Sequence, residues 1–380
     1  MKRLALIAGS VGLVIVAGIA TFFILKVIDA DDDTASQTIS TTPELSVTRL
    51  IEGLDHPWDV DFLPSGTLLF TERSGELSKL ADGKKVVIEA PEDVNVVGEG
   101  GLLGLAIDPE FARDRFVYAC LNSTRGDVRV ARWVLDADEA SVSDRTDIIT
   151  GIPSADSGRH SGCQIAFGPD KNLWVGTGDS ADESEPQDQD SLGGKILRVN
   201  RDGQPADGNP DGPDRRVYSY GHRNTQALAF YDAQRDGSYG VSVEHGSDRD
   251  DEVNPLKPGN FGWDPGGGYD ETVPMTDLNK FPDAISSIWS SGNPTVAVSG
   301  ATFLKGEKWG RLDGWLGVSV LKDQKLLLLN ITGGSVSGER TLFEGQYGRL
   351  RAATLGPDGN LYVSTDNGTD DAIMRISPGA

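Results

Sequence analysis

From residue 45 onward one pattern keeps returning: a small apolar strand, a turn rich in Pro, Asp and Gly, a second apolar strand, then polar residues and a further strand. The first copy runs from Trp58 through Pro64-Ser65-Gly66 to Phe70, and a further strand follows over residues 75–80. The second spans residues 104–109, 116–121 and 128–134. The third covers residues 159–179, with Pro169-Asp170-Lys171-Asn172 at its turn, and closes over residues 194–199. A fourth begins at Gln226 and continues through residues 239–244. The fifth takes in residues 300–304, 315–320 and 325–330. The sixth, residues 353–365, carries Gly356-Pro357-Asp358-Gly359-Asn360-Leu361, a near copy of the third, and ends at residues 373–376. Alternating apolar residues on either side of a Pro-Asp turn specify paired strands. Six such units of roughly 45 to 75 residues are what a β-propeller produces, one four-stranded blade each around a central channel. Helical periodicity is absent beyond the N-terminus, so the expected fold is all-β, a six-bladed β-propeller over residues 45–380. The stretches 180–190 and 205–214 do not fit a blade and read as surface insertions.

Ahead of the propeller, Met1-Lys2-Arg3 precedes a largely apolar, uncharged run over residues 4–25, closed by Lys26. Such a run is about long enough to cross a bilayer as a single transmembrane helix. No small-x-small cleavage site follows it, so residues 1–28 are expected to be an uncleaved signal-anchor. The basic N-terminal side faces the cytoplasm. Residues 29–44, acidic and rich in Ser and Thr, are then an outer linker, and the propeller is placed on the extracytoplasmic side of the cell membrane, or secreted if the segment is cleaved. The formal charge of −23 argues against nucleic-acid partners, since phosphate contacts need a basic surface. Two cysteines, Cys120 and Cys163, are too few for a disulfide framework or a zinc site. One bridge between them and two buried thiols are both compatible with the sequence.

Several polar residues exceed what turns require. His160, one of four histidines, stands at a strand entrance, where a neutral imidazole suits a general base. A structural, hydrogen-bonded histidine is the alternative. Arg159 beside it would favour the neutral ring. Gly221-His222-Arg223-Asn224-Thr225-Gln226 puts a cation and two amides just before a strand, Lys322 follows an apolar run, and Arg349 and Arg351 alternate and so share one face. The loops entering the inner strands of a propeller converge on one mouth of its channel. Arg223, Lys322, Arg349 and Arg351 are therefore expected to meet there as an anion site, unless each pairs with a nearby carboxylate. Residues 244–252 end a strand in a knot of carboxylates and carbonyls, suited to calcium or to a solvated acidic turn.

Taken in order, Leu54-Asp55-His56-Pro57-Trp58, residues 98–106, His160 with Phe167-Gly168-Pro169-Asp170, Gly221-His222-Arg223-Asn224, Glu244-His245-Gly246 and Arg349-Leu350-Arg351 resemble the soluble quinoprotein glucose/sorbosone dehydrogenases, which include the aldose sugar dehydrogenases. The resemblance extends over about residues 45–378. It implies a six-bladed propeller that uses pyrroloquinoline quinone (PQQ) and Ca2+ to oxidise an aldose at C1 to the lactone. By motif, His160 would be the general base, and Arg223 would stand beside the quinone oxygen that takes up charge. Asn224, Gln226 and Ser299 would contact the cofactor, and Lys322, Arg349 and Arg351 would hold its carboxylates. Backbone carbonyls of Gly246 and Ser247 would bind calcium, and Glu99 and Asp179 would lie near the substrate. The electrons would pass to a membrane-bound or soluble acceptor that the sequence does not identify. The chain departs from the family at Cys163-Gln164, where Gly-Arg is usual, which would remove a cation from the mouth. It departs again at Ser247, where proline is usual. Alternative readings are a calcium-dependent, lactonase-like propeller hydrolase, which would need a carboxylate-rich channel floor, and a non-catalytic propeller that binds a sugar or cofactor.

Overall fold

A computed structural model of the chain describes residues 42–368 and 370–379. The expected membrane anchor, residues 1–28, lies outside the described residues, among which no helix is long and apolar enough to cross a membrane. The strands form six sheets, antiparallel but for one short pair, that follow one another along the chain. Their first strands are Pro57–Phe62, Leu102–Ile107, Gly162–Phe167, Thr225–Arg235, Val298–Phe303 and Leu350–Leu355. Each packs against the next, and the sixth returns to the first, so the six line a central channel. This is the expected six-bladed propeller, with each expected unit forming one blade. The ring is closed by a pairing that local pattern does not announce. Leu45–Leu54 adds to the last blade as its outer strand, antiparallel to Asp371–Pro378. The third blade gains a short fifth strand, Gly259–Asn260, parallel to Val217–Tyr220.

The core lies between the blades. One apolar cluster joins Trp58, Leu103, Tyr118, Val130, Ile165, Val175 and Leu197 from three successive blades, and another joins Ala229, Val243, Val318 and Leu327. Burial of these alternating residues provides the main driving force for stacking the sheets. Polar groups stitch the inner strands together near the axis. Asp59 accepts from Leu105 N at 2.9 Å, Asp61 from Ile107 N at 2.9 Å, and Thr354 donates to the Val60 carbonyl at 2.8 Å. The inner strands converge so closely that a Cβ on Gly104 would lie 2.8 Å from the Cys163 carbonyl oxygen.

Cys120 and Cys163 are bonded, with Cα atoms 6.1 Å apart, which settles the choice the sequence left open. The bridge ties the second strand of blade 2, Phe116–Ser123, to the first strand of blade 3. The adjoining Gln164 turns into the channel and donates to Asp59 at 2.7 Å. The Cys163-Gln164 departure therefore serves the bridge and the channel lining. Asp59 and Asp61 do put carboxylates in the channel, as a hydrolase floor would require. Both are taken up by backbone N–H groups of Val60, Leu105, Phe62 and Ile107.

Candidate active site

In each blade the first strand starts, and the antiparallel second strand ends, at the same mouth of the channel. Segments far apart in sequence are brought together there for that reason. The loops entering blades 2, 3, 4 and 5 and the turn leaving the second strand of blade 4 enclose a cavity of about 240 Å3. Its wall carries Glu99, Arg159, His160, Arg223, Asn224, His245, Gly246 and Asp251. Five of the expected site residues, Glu99, His160, Arg223, Asn224 and Gly246, are among the wall residues.

His160 is buried, with a left-handed backbone (φ 51). Its Nδ1 lies 2.7 Å from Asp179 Oδ1. A carboxylate only accepts, so in the neutral ring Nδ1 carries the proton and Nε2 keeps the lone pair. Asp179 follows the second strand of blade 3 and is fully buried. It accepts also from Ala181 N at 2.9 Å, Trp263 Nε1 at 2.8 Å and the Tyr269 hydroxyl at 2.5 Å. Its place behind His160 differs from the expected substrate contact. With every approach taken by these donors, it acts through the imidazole. The preceding Gly178 is required here, because a Cβ would fall 1.8 Å from the His160 carbonyl oxygen.

Arg223 is buried beside this pair. Its backbone N–H donates to Glu244 Oε2 at 2.7 Å, and Nη2 donates to Glu271 Oε2 at 3.0 Å. Its guanidinium lies 5.7 Å from the Trp263 ring centre. Burial opposes its charge, but Tyr269, Glu271 and Asp179 outweigh that and hold its pKa above the usual value. Asn224 donates to Glu99 Oε2 at 2.9 Å and accepts from Gly162 N at 3.1 Å. Burial holds the His245 ring below the ordinary imidazole value, against the pull of Asp251 and Glu99. Arg159 does not present its charge to His160 as expected. It pairs with Glu271 and lies over the Tyr269 ring.

The other expected cations are placed around this cavity but outside its wall. Arg351 donates to Asp366 at 2.7 Å, to Gln226 Oε1 at 3.0 Å and to Ser299 Oγ at 3.4 Å, so three expected cofactor contacts form one buried network. Arg349 is half exposed and donates to the Asp366 carbonyl at 3.0 Å. Lys322 Nζ donates to the carbonyl of Thr295, a cavity residue, at 2.8 Å. Three of the four cations thus have carboxylate partners, Glu271 and Asp366. In the acidic knot, Asp251 is consumed as a clamp, accepting from Gly246 N at 2.8 Å, Val296 N at 2.7 Å and Ala297 N at 2.6 Å.

Among the described residues, buried polar atoms in this region without a hydrogen-bond partner include Arg223 Nε, Gln226 Nε2, His245 Nε2 and Ser247 Oγ. Orphaned buried groups cost free energy unless a ligand or water satisfies them. They fit a polar, anionic occupant held by Arg223 and Gln226. The residues missed from sequence are Tyr269, Glu271, Trp263 and Thr295. Three of them lie on residues 261–272, a Gly-rich loop without periodicity, so no local pattern could have flagged them.

The fold and the site define a six-bladed β-propeller with a histidine–carboxylate pair at the mouth of its channel. The sequence profile of the glucose/sorbosone dehydrogenase family matches residues 54–375, and the chain belongs to that family. It is 32% identical over 372 residues to an uncharacterized protein, slr1608, of Synechocystis sp., spanning 88% of this chain and 87% of that protein. It is 29% identical to the aldose sugar dehydrogenase YliI of Escherichia coli, spanning 88% and 93%. Among solved structures, the PQQ-bound aldose sugar dehydrogenase of Streptomyces coelicolor superposes with a TM-score of 0.75 at 33% identity, covering 89% of this chain and 99% of that one.

Proposed function

We propose that the protein oxidises an aldose at C1 to the lactone, using PQQ and calcium. The observation that carries this reading is the His160–Asp179 pair at a cavity bordered by Arg223, with unsatisfied polar atoms around it. Asp179 fixes the proton on Nδ1 and the orientation of the ring. The free Nε2 lone pair of His160 then takes the proton of the anomeric hydroxyl. Bound at this mouth, PQQ would supply a quinone that accepts the C1 hydride, and calcium would polarise its carbonyl. Arg223 would stabilise negative charge arriving at the cofactor, with a guanidinium already desolvated and oriented by Glu271 and the His245 carbonyl. Asn224, Gln226 and Ser299 would contact the cofactor, and Lys322, Arg349 and Arg351 would receive its carboxylates. Glu99, held by Asn224, would face the sugar. Gly246 and Ser247 would offer backbone carbonyls to calcium, a ligand type that does not depend on the side chain at position 247. An extracytoplasmic, membrane-anchored location is part of the proposal, and the Cys120–Cys163 bridge supports an oxidising compartment.

The test is reconstitution of the purified chain with PQQ and calcium, followed by dye reduction with a panel of aldoses and PQQ binding by absorbance. Turnover is expected with at least one aldose, and His160→Ala should abolish it while PQQ still binds. No reduction with any aldose, together with no PQQ binding, would remove the reading.

A further inference from the structure

At the mouth, two guanidiniums from different loops converge on one carboxylate. Arg159 reaches Glu271 Oε1, and Arg223 Nη2 reaches Glu271 Oε2 at 3.0 Å. Glu271 arrives on the loop that also carries Tyr269, whose hydroxyl is anchored to Asp179 at 2.5 Å. Burial and the Asp179 charge raise the Tyr269 pKa, so this hydroxyl stays a donor and fixes the loop against the His160 pair. A second tie, Gly268 N to Glu183 Oε2 at 2.9 Å, holds the loop to the insertion over residues 180–190. Two guanidiniums so placed form a fork that fits a carboxylate, and here the protein provides that carboxylate itself.

We propose that Glu271 sets the charge selectivity of the mouth. Its carboxylate occupies the position on Arg159 and Arg223 that the carboxylate of a sugar acid would otherwise take. The site therefore admits neutral aldoses and turns away uronic and aldonic acids. Discrimination of this kind comes from a repulsive group as much as from attractive contacts. Glu99, also on the wall, adds negative charge that disfavours a sugar acid there. The inference deepens the sugar-oxidising reading and rests on it for the identity of the neutral ligand.

The test is calorimetric titration of the full chain, without cofactor, with glucuronate and separately with glucose, for wild type, Glu271→Gln and Glu271→Asp. Glu271→Gln should bind glucuronate at least about tenfold more tightly than wild type, the effect of releasing a charge-assisted hydrogen-bonding pair. Glucose is the neutral reference: the ratio of glucuronate to glucose affinity should rise by about tenfold or more in Glu271→Gln, and Glu271→Asp, which keeps the charge, should hold the wild-type ratio. Adding Arg159→Ala to Glu271→Gln should erase the gain. A Glu271→Gln protein with no tighter glucuronate binding, or a wild type that binds glucuronate as well as glucose, would overturn the proposal. If no form binds glucose and Glu271→Gln still gains glucuronate affinity, charge selectivity stands and the aldose reading falls.

Discussion

Replacing both cysteines, as Cys120→Ala/Cys163→Ala, tests the argument that the bridge stabilises the propeller by restricting its unfolded chain. The two residues are 43 apart in sequence. The chain-entropy relation then gives a loss of roughly 13 cal/mol/K in the unfolded ensemble, or about 4 kcal/mol at 25 °C. Both sulfurs are buried in the same apolar cluster, so truncation to alanine also removes packing, and the loss should not fall below that figure. Urea unfolding followed by far-UV circular dichroism measures it. With a slope of about 3 kcal/mol/M, the midpoint should fall by about 1.3 M. Wild type in the presence of reductant should move toward the variant. A midpoint lowered by less than about 0.3 M would refute the entropic argument, because it would leave under 1 kcal/mol for the bridge.

Two further outcomes are expected. Burial pushes the channel carboxyl of Asp59 up to about 6, and burial with the Asp59 charge pushes Asp61 up to about 7, against a starting value of 3.8. The native state therefore binds more protons than the unfolded chain, so the contribution of these groups is fully present below about pH 4 and is lost as pH rises through their folded values. Asp61 alone accounts for up to about 4 kcal/mol of that decline. The melting temperature of Asp61→Asn relative to wild type should climb steadily between pH 4.5 and 7.5, and a difference that stays constant across that range would contradict the assignment. At the active site, Asp179→Asn should lower kcat by about 10^3- to 10^4-fold, because an amide can donate to Nδ1 and reverse the tautomer on which base catalysis by His160 depends. PQQ binding should be unchanged, since Asp179 lies behind the ring. A loss below about tenfold would show that Asp179 does not set the tautomer.

Much of the site was legible because its residues sit in short motifs at strand entrances. His160, Arg223 and Asn224 each precede a first strand, and blade geometry brings such positions to one mouth. Glu99 and Gly246 follow the same logic. Asp179 was expected near the substrate, and the fold places it behind His160 instead. Its side chain could have faced either the cavity or the imidazole, and only the packing of Trp263 and Tyr269 against it decides. The cations were legible as a set, but their partners were not. Asp366 and Glu271 neutralise them from other segments of the chain, and nothing near Arg223 or Arg351 in sequence points to those carboxylates.

The sequence by itself determined the six blades, since alternating apolar residues and Pro-Asp turns act over a few residues and recur six times. It also determined which residue types stand at the mouth of the channel. The tertiary structure decided the closing of the ring by Leu45–Leu54, the Cys120–Cys163 bridge, the Asp59–Gln164 contact and the Glu271 clamp on Arg159 and Arg223. Each joins residues far apart in the chain: the ring closes through a ten-residue strand, and the others through one or two side chains with no periodicity to advertise them. Local patterning can specify a strand, but the partner of a buried charge is fixed only when distant segments compete for it in the folded protein.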